Sequence, residues 1–313
     1  MKEPLQFADL FAGIGGFHLA FEKAGSKCVF VSEWDEDARA TYKHNFKKRA
    51  PEIFSDQLRE QQFFLGDITK VTTNPQKLKS LPEFDILCAG FPCQPFSNAG
   101  LKKGLQETRG TLFFDILKIL KTKQPEAFFL ENVRGLLTHK SSDGIETMPI
   151  IRRQLAKAGY HFSEHIVRAS DFGVPQHRPR LFIIGFRSKE AFERFKSPKP
   201  IKLKLTLDQI MGGSTGRTLG YTLRVGGRGS GVGDRRNWDR YLVDGLEVRL
   251  SPAQGLKLQG FPSWFKFPKD ISDTQALKQL GNSVAVPAVH AYAKAMIQAL
   301  RPPHVDQADD AKN

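Results

Sequence analysis

Asp9-Leu10-Phe11-Ala12-Gly13-Ile14-Gly15-Gly16 is the stretch whose reading decides the fold. Phe7 to Leu10 is apolar enough for a short buried strand. Gly13 to Gly16 forms a turn, and Phe17 to Ala24 has the pattern of an amphipathic helix. Strand, glycine turn and helix in that order let a ligand approach the backbone closely, because glycine tolerates the positive φ values a sharp turn demands. Working outward, Cys28 to Val31 is a second apolar strand, and apolar strand ends recur at Leu65, Cys88 and Leu130. Helical patterns lie near Thr111 to Leu120 and Met148 to Ala158, with His161 to Val167 and Leu181 to Phe186 as closing strands. This alternation predicts an α/β fold with a doubly wound, mostly parallel sheet. Residues 47 to 62 are charged and aperiodic, and read as a surface insertion.

The 313 residues suffice for one large and one smaller unit, with 40% hydrophobic and 26% charged residues, as in ordinary globular chains. The formal charge of +14 and pI near 9.7 point to a polyanionic partner, since basic protein gains from counterion release on phosphate. A solvated basic surface is the alternative. Cys28, Cys88 and Cys93 have no CxxC spacing, which argues against a disulfide framework and against a metal site. Met1-Lys2-Glu3-Pro4 does not open like a signal peptide, and no apolar run approaches the roughly 18 residues of a membrane span. A cytoplasmic, membrane-free protein is expected, and a monomer.

Beyond Phe186 the character changes. Residues 187 to 250 carry 14 Lys and Arg against 7 Asp and Glu, and nine of the 22 residues from Gly212 to Gly233 are glycine. Such a segment cannot build a sheet core, but it can lay arginines along an irregular surface, with Tyr221, Leu223, Trp238 and Tyr241 as anchors. A disordered linker is the plainer reading. Helix returns from about Pro287 to Leu300, and the tail after Arg301 is expected to fray.

Four constellations carry chemistry. Glu33 lies twenty residues past Gly13 at a strand end, where an acid can accept bonds from both hydroxyls of a ribose. Trp34 offers a flat face for a purine, although a core Trp is as ordinary. Asp67, in Gly66-Asp67-Ile68, suits an adenine amino group or merely a helix N-cap. Cys93 follows Gly90-Phe91-Pro92 at another strand end, and Glu131 closes the apolar run Phe128-Phe129-Leu130 at a third. A turn cysteine is usually a small apolar filler, but thiol and carboxylate at neighbouring strand ends make a nucleophile and acid pair. In Gln176-His177-Arg178-Pro179-Arg180, two arginines two apart in extended chain point one way, to hold a carbonyl oxygen or a phosphate. Surface charge is the alternative. Gly281-Asn282-Ser283-Val284 is a polar turn ahead of the last helix, on its own no more than a cap.

Taken in order, these stretches resemble the bacterial DNA (cytosine-5)-methyltransferases of restriction–modification systems, over nearly the whole length. The resemblance implies a Rossmann-like methyltransferase sheet with a small, irregular, β-rich target-recognition domain. The implied divisions are 1–186 for catalysis and S-adenosylmethionine binding, 187–254 for target recognition, 255–280 as a hinge, 281–302 returning to the catalytic domain, and 303–313 as a frayed tail. It also implies a mechanism: a cytosine flipped from the duplex, attack of Cys93 on C6, Glu131 on N3 and the amino group, and Arg180 with Arg178 on O2. C5 then takes a methyl group from S-adenosylmethionine, leaving S-adenosylhomocysteine, with no metal. Phe11, Gly13, Gly15, Gly16, Glu33, Trp34, Asp67, Ile68, Gly90, Pro92, Leu112, Asn282 and Ser283 would form the cofactor pocket. Gln94, Ser97, Lys102, Lys103 and Arg109 would belong to a loop closing over double-stranded DNA. Thr222 and Leu223 would steady the backbone near the flipped nucleotide, and Arg224, Arg228, Arg235, Arg236 and Arg240 would meet bases and phosphates. A cognate restriction endonuclease is the implied functional partner.

Three rivals compete with that reading. A nicotinamide oxidoreductase would share the strand-end acid, but its turn would be GxGxxG rather than GxGG. An inactive DNA-binding relative would not need both Cys93 and Glu131. An RNA cytosine-5 methyltransferase on the same core is disfavoured by the glycine- and arginine-rich segment without being excluded.

Overall fold

The computed structural model describes residues 3–92, 112–140, 144–226 and 229–301. Its main sheet holds β1 (Gln6–Leu10), β2 (Lys27–Ser32), β3 (Phe64–Leu65), β4 (Ile86–Gly90), β5 (Ala127–Val133), β6 (His161–Arg168) and β7 (Pro179–Phe186). The spatial order is β3-β2-β1-β4-β5-β7-β6. β1 to β5 pair in parallel, and β7 runs antiparallel to both of its neighbours. The chain winds outward from β1 through β2 to β3, then crosses back to place β4 on the other flank of β1. That reversal opens a crevice above the carboxyl ends of β1 and β4, where doubly wound sheets take their ligands.

Side chains alternate along each strand, so the sheet has two cores. Phe7, Cys88, Phe129 and Ile184 face one, covered by the helices Gly16–Lys23 and Val286–Leu300. Ala8, Leu87, Phe128 and Ile183 face the other, covered by Leu112–Lys123 and Thr147–Lys157. The helix Leu112–Lys123 buries Phe113, Phe114, Ile116, Leu117, Ile119 and Leu120, the three-and-four spacing that puts one apolar stripe on the sheet.

One expectation changes. Residues 47 to 62 are not merely a surface insertion: they form the short helices Pro51–Phe54 and Gln57–Phe63, and Ile53 and Phe54 are buried. The Phe54 ring lies 5.2 Å from that of Phe64 on β3, so the segment roofs the sheet edge. Gly281-Asn282 ends the helix Asp273–Asn282, with Ser283 at its C-cap, and residues 255–280 hold most of that helix and the end of Pro252–Gln259.

The glycine-rich segment is anchored as its aromatics suggested. Leu223, Trp238 and Tyr241 are all but fully buried, and their cluster is continuous with the first sheet core. Trp238 Nε1 donates to the Gly226 carbonyl at 2.8 Å, and the Tyr221 N–H donates to the Tyr241 hydroxyl at 2.9 Å. A hairpin, β8 (Arg240–Val243) and β9 (Leu246–Arg249), turns on Asp244 and Gly245. Their φ values of 50° and 82° match the right-handed strand twist.

Candidate active site

The carboxyl ends of β1 to β5 and the start of β7 line the site. At the end of β1 the backbone turns left-handed at Phe11 (φ 55°), Gly13 (φ 55°) and Gly15 (φ 88°). For Phe11, which has a Cβ, that conformation costs about 1–2 kcal/mol, so neighbours must hold it. They do: the Ala12 N–H donates to the Ser32 carbonyl at 3.1 Å, and the Gly13 N–H donates to Glu33 Oε2 at 2.7 Å. Glu33 Oε1 accepts from the Asp35 N–H at 2.8 Å. Burial holds the Glu33 carboxyl above its usual value, and these backbone donors offset only part of that rise.

The three turn glycines serve different ends. A Cβ on Gly13 would meet nothing within 4 Å, so this face of the turn is open to a ligand. On Gly15 it would lie 2.3 Å from the Phe46 ring, and on Gly16 it would lie 2.7 Å from Val284 Cγ2 and 3.0 Å from Ser283 Oγ. Gly15 therefore admits a core aromatic, and Gly16 lets the Ser283 segment close against the turn. Ser283 Oγ is itself buried, with no bond among the described residues. Beside Glu33 the Trp34 side chain stands 78% exposed, which leaves its face available for stacking. Asp67 uses Oδ1 to accept from the Thr69 N–H at 2.9 Å and the Thr69 hydroxyl at 2.8 Å. Ile68 is buried, Leu112 opens its helix half-buried, and Asn282 is exposed. The site can thus offer a carboxylate, an aromatic face, an open glycine turn and a buried hydroxyl to one nucleoside-bearing ligand.

The second half lies at β4, β5 and β7. Gly90 pairs in register with Glu131, and a Cβ on Gly90 would sit 3.7 Å from Glu131 Oε2. Glu131 is 8% exposed, and its Oε1 faces Arg180 Nε at 2.9 Å. Asn132, not singled out from the sequence, donates from Nδ2 to the Phe91 carbonyl at 2.9 Å. That bond pins the chain as it leaves β4 through Phe91 and Pro92 beside Glu131. Cys93 follows at once, but Cys93, Gln94, Ser97, Lys102, Lys103, Arg109 and Arg228 lie outside the described residues.

Of the two arginines expected to hold a carbonyl oxygen, only Arg180 reaches Glu131. Arg178 is 2% exposed; both terminal nitrogens of its guanidinium are occupied within the protein, while Nε is buried with no bond among the described residues. Nη1 donates to the Leu223 carbonyl at 2.9 Å, while Nη2 donates to those of Gly281, at 3.1 Å, and Ser283. Burial drives the Arg178 pKa well below its usual value, and the charge of Arg180 pushes the same way. Thr222 donates its hydroxyl to the His177 carbonyl. The expected DNA-facing arginines also divide. Arg236 is paired with Asp234 at 2.7 Å and Arg240 with Glu247, whereas Arg224 bonds the Arg236 carbonyl at 3.2 Å. Arg235 is exposed and makes no bond among the described residues. None of this pairing has a signature in local sequence, except that Asp234 stands two residues from Arg236.

The doubly wound sheet with an open glycine turn and an arginine-paired acid at adjacent strand ends defines a Rossmann-like enzyme. Comparison with known proteins narrows the class. The family described as "C-5 cytosine-specific DNA methylase" matches residues 5–225 and 224–298. Type II methyltransferase M.SsoII of Shigella sonnei is 40% identical, covering 93% of this chain and 80% of its own. M.HpaII of Haemophilus parainfluenzae is 38% identical over 96% and 91%, and M.HhaI of Haemophilus parahaemolyticus 35% over 90% and 91%. Among solved structures, DNMT2 of Spodoptera frugiperda superposes with a TM-score of 0.69 at 20% identity, covering 94% of this chain and 99% of that one. The chain belongs to the C-5 cytosine-specific DNA methylases, and it is a type II DNA (cytosine-5-)-methyltransferase. Among the described residues no helix is long and apolar enough to cross a membrane.

Proposed function

We propose that this enzyme methylates C5 of a cytosine flipped out of a specific double-stranded DNA site, through a transient bond between Cys93 and C6. A stacked cytosine hides C5 and C6, so the base must leave the duplex. The Cys93 thiolate adds to C6, while Glu131 bonds N3 and the amino group. Arg180 holds both Glu131 and the O2 oxygen, where negative charge develops. The electron pair arriving at C5 takes the methyl group of S-adenosylmethionine. Removal of the C5 proton then returns electrons to the ring and expels the thiolate. The open face of Gly13, the exposed Trp34 and the Glu33 carboxylate, which keeps lone pairs beyond its two backbone bonds, suit the nucleoside of that donor. Residues 187–254 are assigned to target recognition, and the physiological role is protection of host DNA from a cognate restriction endonuclease.

The observation that carries this reading is the Glu131–Arg180 pair, with Glu131 buried and Arg180 half-buried at a strand end directly beside the Gly90-Phe91-Pro92 exit that leads into Cys93. Bisulfite sequencing of DNA from an expressing host identifies the target. With S-adenosylmethionine present, a duplex carrying 5-fluorocytosine at that target, which cannot lose its C5 substituent as a proton after methyl transfer, is expected to trap the protein in a denaturant-stable adduct on Cys93. Cys93→Ser is expected to form no adduct and to transfer no methyl groups. Methylation persisting in Cys93→Ser overturns the assignment.

A further inference from the structure

The segment that precedes β7 stitches three parts of the chain together. Gln176 Nε2 donates to the Leu258 carbonyl and Gln259 Nε2 to that of Leu280, each at 2.8 Å. The Gly220 N–H donates to the Pro175 carbonyl and the His177 N–H to that of Gly220, again at 2.8 Å. At the centre, Arg178 takes carbonyls from Leu223 on one side and from Gly281 and Ser283 on the other. Those oxygens are acceptors and cannot pair with one another, so only a donor with several N–H groups can bring them together away from water. The two sides also touch directly: a Cβ on Gly281 would lie 2.7 Å from the Arg224 carbonyl carbon and 2.8 Å from its oxygen.

Leu223 lies between Thr222 and Arg224, assigned above to DNA. Ser283 follows Asn282 and lies against the glycine turn at Gly16. We propose that Arg178 is a positioning residue that couples target recognition to cofactor binding, by holding Leu223 and Ser283 in one fixed relation. The proposal rests on the reading of these two flanks given under the proposed function. A displacement of the recognition segment moves the Leu223 carbonyl, and the shared guanidinium passes that displacement to the wall of the cofactor site. Coupling between two sites is reciprocal, so either ligand reports it.

The test uses full-length protein, S-adenosylhomocysteine as the unreactive probe, and a duplex bearing the site found by bisulfite sequencing. Calorimetry measures the probe's dissociation constant with and without saturating duplex. The ratio of the two is expected to be about 5-fold or more in the unaltered protein, the lower end of usual coupling. Arg178→Lys replaces the two bonding nitrogens by one, and Gly281→Ala wedges the same two segments apart while keeping the Arg178 side chain, whose Nη2 bonds the Gly281 carbonyl. In each the ratio is expected to fall to within about twofold of unity, below that coupling range, while the duplex-free constant changes less than the ratio does. A merely structural role would lower the melting temperature and both affinities but leave the ratio intact. A folded variant that keeps the full ratio overturns the proposal, as does a ratio of one in the unaltered protein. Should Arg178→Lys fail to fold, Gly281→Ala decides. Failure of the unaltered protein to bind the probe at all would instead remove the cofactor-site reading, a separate result.

Discussion

Glu33→Gln tests whether the second strand end binds the methyl donor or only braces the turn. The carboxylate is 6% exposed and accepts from the N–H groups of Gly13 at 2.7 Å and Asp35 at 2.8 Å. Glutamine keeps the shape but turns one oxygen into a donor, which then faces one of those N–H groups. Hydrogen bonds to charged groups are worth about 1.5–3 kcal/mol each, so stability should fall by about that amount. If the same carboxylate also accepts from ribose hydroxyls, affinity should fall by a second increment of about 1.5–3 kcal/mol, roughly a 10- to 100-fold rise in the dissociation constant of S-adenosylmethionine. Urea unfolding gives the first number, with an unchanged slope confirming that the native state is intact. Isothermal calorimetry on the folded variant gives the second. A stability loss of the expected size with a dissociation constant within twofold of the unaltered protein would falsify the ribose assignment and leave Glu33 as a bracket for the turn.

Three further outcomes follow from the geometry. Gly13→Ala should cost only about 1–2 kcal/mol of stability, for its positive φ, yet weaken S-adenosylmethionine binding at least tenfold, because the new methyl group occupies the open face of the turn; equal affinity in a calorimetric titration would count against ligand there. Arg235→Ala should lower the salt dependence of DNA binding by about one counterion, near 0.9 in the log–log slope. Arg236→Ala should leave the slope alone because Asp234 already occupies that guanidinium, and the reverse ranking in fluorescence anisotropy would refute the division. His18 is fully buried, bonded to the Tyr42 hydroxyl, and pushed down to about 3 by burial and then by the charge of Arg49. Its folded pKa lies below its unfolded one, so the stability it contributes is complete above about pH 6.5 and drains away toward pH 3, at about 1.4 kcal/mol per unit. Asp9, raised by burial and then by Glu33, acts with the opposite sign, so the His18 effect is read as the difference between the unaltered protein and His18→Gln. Parallel unfolding curves between pH 6 and 4 would contradict it.

The sheet was legible because its strands are short, apolar and punctuated, and because a parallel strand ends where its ligands begin. Glu33, Glu131 and Gly90 all stand at such ends, so position along the chain located them in space. Arg178 shows where that logic stops. Its spacing from Arg180 suggested a shared target, but what decides its role is a set of carbonyls 45, 103 and 105 residues away, and backbone acceptors leave no mark in a sequence. The same holds for Phe54, whose charged neighbours masked an aromatic that closes on Phe64. Sequence spacing thus finds groups whose function depends on the local strand, and misses groups whose function is to join distant segments. Arg178 belongs to the second kind. A buried cation can persist there because acceptors from two separate segments need it, which makes its substitution a test of how the parts of the enzyme communicate rather than of the chemistry at C5.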